Sequence, residues 1–343
     1  MQYTSWHGNP IEVIDNYGSL SAMLTDISVE PNYRATVMSL LKGCNSTVGD
    51  PTGVTIAGAE AKYFSTTLIS GVVGSLARSY IPIFALDGPI QIKITLVNNV
   101  QAGFWSATPT ANFSIDNIEY HANMIRLSDS VMSMIQSPSY TIYSEGWSNY
   151  NALVAQSTTS LEQLIPCRYS SLKTVLVAMR LQTNVNNAGS TAGVAFPLAR
   201  STMSIQDWAF RLGSLVIPPQ RCKGSGSGHV ESYEQLKKAF HCGGNIITTF
   251  GVLRADNYVD FARNASGTNV LSSSQGCHVL GCDMEVYSGK SGSILSGINT
   301  SGNDLYFSAT FPSTGIASIA LFDYMLHYDM VLKIENGIMT VHV

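Results

Sequence analysis

The sequence predicts an all-β protein built from two β-sandwiches side by side, with a few short helices. Three observations carry that expectation. One segment alternates apolar and polar residues strictly; a C-terminal Asn-Gly turn joins two arms in hydrophobic register; and one order of segments recurs in both halves of the chain.

In chain order, Asn32 can cap a helix from Tyr33 to Lys42, with Val37, Leu40 and Leu41 on one side and Gly43 as its stop. Ile90-Gln91-Ile92-Lys93-Ile94-Thr95-Leu96 is the alternating segment, a half-buried strand entered through the turn Asp87-Gly88-Pro89. Ser128 or Asp129 can cap a short helix carrying Val131, Met134 and Ile135. Tyr140 to Tyr143, Thr174 to Met179 and Asn245 to Phe250 read as strands. Between the last two, Ser232-x-x-Gln235 reads as a capping box, with Val230, Tyr233, Leu236 and Phe240 at helical spacing and Gly243 as the end. Asn336-Gly337 favours a type I′ turn. A two-residue loop there sets Ile334 opposite Met339 and Leu332 opposite Val341, with Lys333 opposite Thr340 on the other face.

The recurring order runs from a Ser/Gly-bearing stretch, Ser65 to Ser75, to the Ile90–Leu96 strand and then to Ile115–Leu127. In the second half it runs from Ser288–Ser301 to Leu305–Phe311 and then to Ile319–Leu332. Two similar halves of many short strands point to paired sandwiches. The eight-stranded jelly roll suits chains of roughly 170 residues, which gives an N-terminal unit over 1–137 and a C-terminal unit over 138–343.

Bulk composition narrows the function classes. The chain has 343 residues, enough for two cores. Only 12% of them are charged against 45% hydrophobic, which suits faces packed against other subunits. With a net charge of −4 and no run of Lys or Arg, the counterion release that drives nucleic-acid binding has no source, so direct binding is not expected. The start, Met1 to His7, has neither the positive charge nor the apolar stretch of a signal peptide, and synthesis in a cytosol is expected. Six cysteines (44, 167, 222, 242, 277, 282) form no C-x-x-C pair and read as buried free thiols.

The candidate chemistry is thin. Gly289-Lys290-Ser291 matches the end of a phosphate-binding loop, but the required earlier glycine is Met284 and the following Ser293 to Gly297 cannot start a helix, so it reads as a polar loop. Asp283 and Glu285, alternating on a strand, would share a face and could hold calcium or act as an acid–base pair; a solvated strand face is the ordinary reading. Cys222, His241, Cys242, Cys277, His278 and Cys282 follow no metal-ligand spacing. Gly224 to Gly228 has Gly226 where a nucleophile elbow needs serine. Trp6, Trp105, Trp147 and Trp208 read as core or subunit-interface anchors. No catalytic, cofactor-binding or metal site is assigned, and a non-enzymatic protein without cofactors is expected.

Several stretches, in order along most of the chain, resemble the double jelly-roll major capsid proteins of tailless icosahedral DNA viruses, especially virophages and Polinton-like viruses. In the second half they are Ile165 to Lys173, Phe210 to Ser214 running to Pro218-Pro219-Gln220, the helix around Glu234 to Phe240, and Ser293 to Thr300. In the first half they are Tyr80 to Ile83 with Gly88 to Ile92, and Ile115 to Leu127. The resemblance implies a virion shell protein that forms homotrimeric, pseudo-hexameric capsomers of an icosahedral capsid. Its partners would be itself, neighbouring capsomers, and penton and minor capsid proteins, with contact to an internal membrane left open. The chain is short for that family, which implies short loops at the outer capsid surface. A small double jelly-roll protein of a tailless bacteriophage is the alternative within the lineage. From a different class, the alternative is a tandem β-sandwich module that binds a carbohydrate or receptor through loop residues such as Trp147 or Tyr150.

Overall fold

The computed structural model describes residues 2–4, 10–29, 61–77, 79–96, 114–182, 200–224, 229–240, 261–263, 269–271, 278–286 and 295–343, with a few single positions between them. The protein is all-β, and three α-helices occur among the described residues.

Eight strands of the C-terminal half form the sandwich. They are β4 (Ser139–Val154), β5 (Ser160–Ile165), β6 (Leu172–Leu181), β7 (Asp207–Leu212), β8 (Leu215–Lys223), β11 (Leu280–Asp283), β12 (Leu305–Thr310) and β13 (Ala320–Glu335). One sheet runs β11-β6-β13-β4 and the other β5-β12-β7-β8, all antiparallel. The chain changes sheet at every connection except β7 to β8, a tight hairpin at Gly213, where φ is +59°. Counted within the eight, the orders are 6-3-8-1 and 2-7-4-5, so the first strand pairs with the last. That wrapping of a long hairpin around itself is the jelly roll.

The interior is what such wrapping requires: alternate residues from both sheets meet. Val175, Val177 and Met179 of β6 and Phe322, Tyr324 and Leu326 of β13 face Trp208 and Phe210 of β7 and Phe307 of β12. Phe307 is the hub, with ring centroids 5.3 Å from Phe210, 5.6 Å from Tyr324 and 6.4 Å from Phe322. Fully burying side chains of this size contributes about 1.5–3 kcal/mol each.

The outer face of the β11-β6-β13-β4 sheet is covered too. Helix α1 (Tyr17–Ser28) and helix α3 (His229–Ala239) lay Leu20, Met23, Ile27 and Leu236 onto Leu176, Ala178, Trp147 and Met325. With apolar partners on both sides, β6 is buried along nearly its whole length, which is why Thr174 to Met179 reads as an unbroken hydrophobic run.

β4 and β13 are each sixteen residues long and pair along their full length, roughly 50 Å, well past the end of the sandwich. Their far ends carry β14 (Ile338–His342) and a third apolar cluster in which Ile142, Met330, Leu332, Ile334 and Met339 meet Ile11 and Val72 from the N-terminal region. That region also holds a small antiparallel sheet, β2-β1-β3, of β1 (Gln2–Thr4), β2 (Pro10–Val13) and β3 (Gln91–Lys93), a 3-10 turn at Ile83–Ala85, and the exposed helix α2 (Asp129–Ile135). A two-stranded ribbon, β9 (Phe261–Arg263) with β10 (Asn269–Leu271), completes the elements.

Several expectations change. The alternating strand is only three residues long; Ile92 packs inward and Gln91 and Lys93 face out as expected, but its partner β1 is itself three residues and leaves Ile94 and Leu96 exposed. Ile115 to Leu127 forms no strand, although it was expected to match Ile319 to Leu332; Tyr120 ties it down by donating its hydroxyl to the Val73 carbonyl at 2.7 Å. Ser232 does not cap α3, which begins three residues earlier at His229. The strand over Asn245 to Phe250 and most of the helix over Tyr33 to Lys42, with its cap Asn32, lie outside the described residues. The hairpin is as expected: Ile334 pairs with Met339, Lys333 with Thr340 and Leu332 with Val341, and Asn336 and Gly337 both have positive φ.

Candidate functional site: a charge cluster buried on the sheet

Among the described residues, a dense group of ionisable side chains sits on the outer face of the helix-covered sheet, where β4, β6 and β13 run side by side. Cross-strand pairing sets Glu145 opposite Asp329, two like charges that repel unless a cation intervenes. The cation comes from a bulge. Between His327 and Tyr328 the β6–β13 register shifts, so that Thr174 pairs with His327 and Leu172 with Tyr328, leaving Lys173 as the extra residue. A bulge of this kind re-aims one side chain. The Lys173 Nζ lies 2.5 Å from Glu145 Oε1, 3.3 Å from Glu285 Oε1 and 3.9 Å from Asp329 Oδ1. His327 adds its Nε2 at 3.5 Å from Glu145 Oε2 and stacks on Trp147 with centroids 4.6 Å apart.

Neutral donors complete the shell. Ser171 Oγ donates to Asp329 Oδ2 at 2.6 Å and accepts from Gly297 N at 2.9 Å, and Ser296 Oγ donates to Glu285 Oε1 at 2.6 Å. Burial alone would raise the Glu145 carboxyl, but His327 and Lys173 outweigh it and hold it far below the ordinary carboxylate range. Burial would likewise lower Lys173, yet its carboxylate neighbours, Glu145 first, hold it above its usual value. A lysine kept charged is neither nucleophile nor general base, so the cluster's chemistry is that of an ion network that fixes strand register.

Two more buried ion pairs fasten α1 to the sheet. Arg180 donates through Nε and Nη2 to Asp323 Oδ2 at 2.6 Å, and Asn16, just before α1, donates to Asp323 Oδ1 at 3.3 Å. Arg200 pairs with Asp26 of α1.

The residues singled out in the sequence are dispersed. Gly289-Lys290-Ser291, Trp6, Trp105, His241, Cys242 and Cys277 lie outside the described residues. Asp283 and Glu285 do not share a strand face, because β11 ends at Asp283, whose Oδ1 accepts from Glu285 N at 2.9 Å while the Glu285 carboxylate turns to Lys173. Cys222 and Cys282 sit in the sandwich core; burial pushes the Cys222 thiol up to about 11 and Cys282 higher still, away from the thiolate that metals and electrophiles need. His278 is fully buried with Nδ1 3.2 Å from the Tyr258 carbonyl. Among the described residues no group of three or more His, Cys, Asp or Glu is placed to hold a metal. Trp147 and Tyr150 are on β4 and not on a loop; Trp147 is 3% exposed and Tyr150 stacks on Tyr324 of the core.

Fold and site together define a jelly-roll protein that carries, among its described residues, a buried ion network in which Lys173 bridges three carboxylates. No protein-family model matches the sequence, and no curated protein does. Among solved structures the fold is similar to a chain of the Sputnik virophage, at 15% identity over all of this chain and 73% of that one, with a TM-score of 0.46. It is similar to the PBCV-1 virus capsid, at 11% identity over 63% of this chain with a TM-score of 0.39, and to the Faustovirus major capsid protein, at 8% identity over 61% with a TM-score of 0.38. The match spans 55% of the PBCV-1 chain and 36% of the Faustovirus chain.

Proposed function

We propose that this chain is a shell subunit, a major capsid protein of the double jelly-roll class whose trimers tile an icosahedral virion. The observation that carries the reading is the strand order 6-3-8-1 over 2-7-4-5, because the jelly roll is an architecture of capsid and lectin domains. The ordered sequence resemblance across both halves and the low charge fraction of 12% fit the capsid branch of that choice. The lectin branch loses its named binding residues, since Trp147 and Tyr150 pack inside. In this reading the N-terminal unit, 1–137, is the second roll of each subunit, and three subunits give six rolls around a capsomer. The protein is non-enzymatic, takes no cofactor, and leaves genome contact to other virion proteins.

Electron microscopy and mass measurement of the purified protein in mild buffer test this. Pseudo-hexagonal trimers are the expected outcome; a stable monomer at micromolar concentration under every ionic condition overturns it.

A further inference from the structure

We infer that Glu12 is a proton-operated latch that holds the 68–77 turn against the C-terminal jelly roll. Glu12 is on β2 and 1% exposed. Its Oε2 accepts from Ser70 Oγ at 2.7 Å, its Oε1 from Gly71 N at 3.5 Å, and the backbone N–H of Trp147 on β4 is a third donor. Ser70 Oγ passes the link on, accepting from Val72 N at 3.1 Å and Val73 N at 3.3 Å. The carboxyl thus organises the turn and joins it to β4.

The other side of the turn is pressed onto the long strand pair. Ser144 Oγ donates to the Gly71 carbonyl at 2.5 Å and lies 3.1 Å from the Leu76 carbonyl, which shares its single proton. A Cβ on Gly71 would lie 2.1 Å from the Glu145 carbonyl oxygen and 2.2 Å from Met330 Cε, so the turn closes only because this position carries no side chain. Opening the latch therefore separates the turn from both β4 and β13.

All three donors are neutral, and among the described residues no Lys, Arg or His pairs with Glu12. The titratable groups around it are Tyr17 of α1, whose Oη accepts from Ile69 N at 2.9 Å, and Tyr328 of β13, stacked on Tyr169. Burial raises both phenols, which leaves them uncharged at neutral pH. The positive chain terminus contributes only a smaller attraction. The three hydrogen bonds favour the ionised form, but burial outweighs them and carries Glu12 to about 7, against 4.5 when solvated. The sign follows: the closed turn prefers the protonated acid, so closure is fully favoured below about 4.5 and loses that advantage as pH rises to about 7, above which nothing more is lost. The inference does not depend on the capsid reading.

Hydrogen exchange on the intact protein tests it, using protection factors corrected for the intrinsic pH dependence of exchange. Protection of the Gly71, Val72 and Val73 amides should fall up to roughly tenfold per pH unit between pH 5 and 7 and level off above, while the β13 ladder at Phe322 to Leu326 stays flat. In Glu12→Gln the dependence should vanish. Protection at 71–73 that is flat with pH in the unmutated protein overturns the proposal whether or not the variant folds, and so does a slope retained in a folded Glu12→Gln.

Discussion

The Arg180 guanidinium and the Asp323 carboxylate face each other across β6 and β13 with no solvent to share, Asp323 at 0% exposure and Arg180 at 4%. Both stand on the outer face of a sheet, where a strand pattern alone reads polar residues as solvated. Helix α1 lies over them and bonds Asp323 through Asn16, so the pair is buried by a segment more than 150 residues away in sequence.

Removing one partner strands the other charge. Asp323→Ala should cost about 3–5 kcal/mol in denaturant unfolding, the usual penalty for an orphaned buried ion, and should loosen α1 first. Replacing both residues by apolar ones of similar size should be far milder. A single variant within about 0.5 kcal/mol of the unmutated protein would contradict the burial of this pair.

Acid should attack the charge cluster. The Glu145 carboxyl is held below its solvated value of 4.5, so its contribution to stability is present above that pH and is lost as pH falls below it. A plot of unfolding free energy against pH should slope downward into acid by up to about 1.4 kcal/mol per unit for this proton, and Glu145→Gln should flatten that limb. The window lies below the Glu12 window, so the two variants should change different limbs of one curve.

Ser232 should matter as a bridge and not as a cap. Its Oγ accepts from Trp208 Nε1 at 2.8 Å and donates to the Lys223 carbonyl at 2.9 Å, linking α3 to β7 and β8. Ser232→Ala leaves a buried indole N–H and a carbonyl unmatched and should cost about 1–3 kcal/mol in thermal or chemical unfolding. Trp208→Phe in the same background should recover part of the loss, because the orphaned donor goes with it.

These cases mark what the sequence makes legible. The Ile334/Met339 register was readable because turn type and side-chain period fix it within ten residues. Tyr140 to Tyr143, Thr174 to Met179, Leu305 to Phe311 and Ile319 to Leu332 overlap β4, β6, β12 and β13, whereas β5, β7 and β8 were not read as strands. Helix α1 was not readable: Gly18, Ser19, Ser21 and Thr25 are poor helix formers, and its stability comes from setting Leu20, Met23 and Ile27 on the sheet. Ser232 misled because a serine three residues before a glutamine is the mark of a cap, while its actual partner, Trp208, lies 24 positions away. The charge cluster was invisible, since Glu145, Lys173, Glu285 and Asp329 come from four separate segments and are assembled by register and one bulge.

The hairpin tip gives a two-part test. Gly337 has φ +83°, and a Cβ there would lie 2.0 Å from Asp87 Cγ. Gly337→Ala should therefore lose about 1–2 kcal/mol from backbone strain alone, with the clash added. Gly337→Ala with Asp87→Ala should recover the clash and keep the strain. Full recovery in the double variant would mean that the backbone at 337 is not left-handed.

Trp147 separates the two functional readings. As a ligand platform it would tolerate replacement in the free protein and lose only binding. As placed, it is 3% exposed, stacks on His327, and packs in one cluster with Leu20, Met23 and Met325. Trp147→Ala should then cost about 3–5 kcal/mol, as large-to-small core changes do, and should lower the yield of folded protein. His327 would lose its stacking partner while keeping Glu145, so the acid limb attributed to that cluster should survive in whatever folded protein remains. A Trp147→Ala protein with unchanged stability, together with unmutated protein that binds glycans at an exposed indole, would remove this tryptophan from the core and favour the carbohydrate-binding reading.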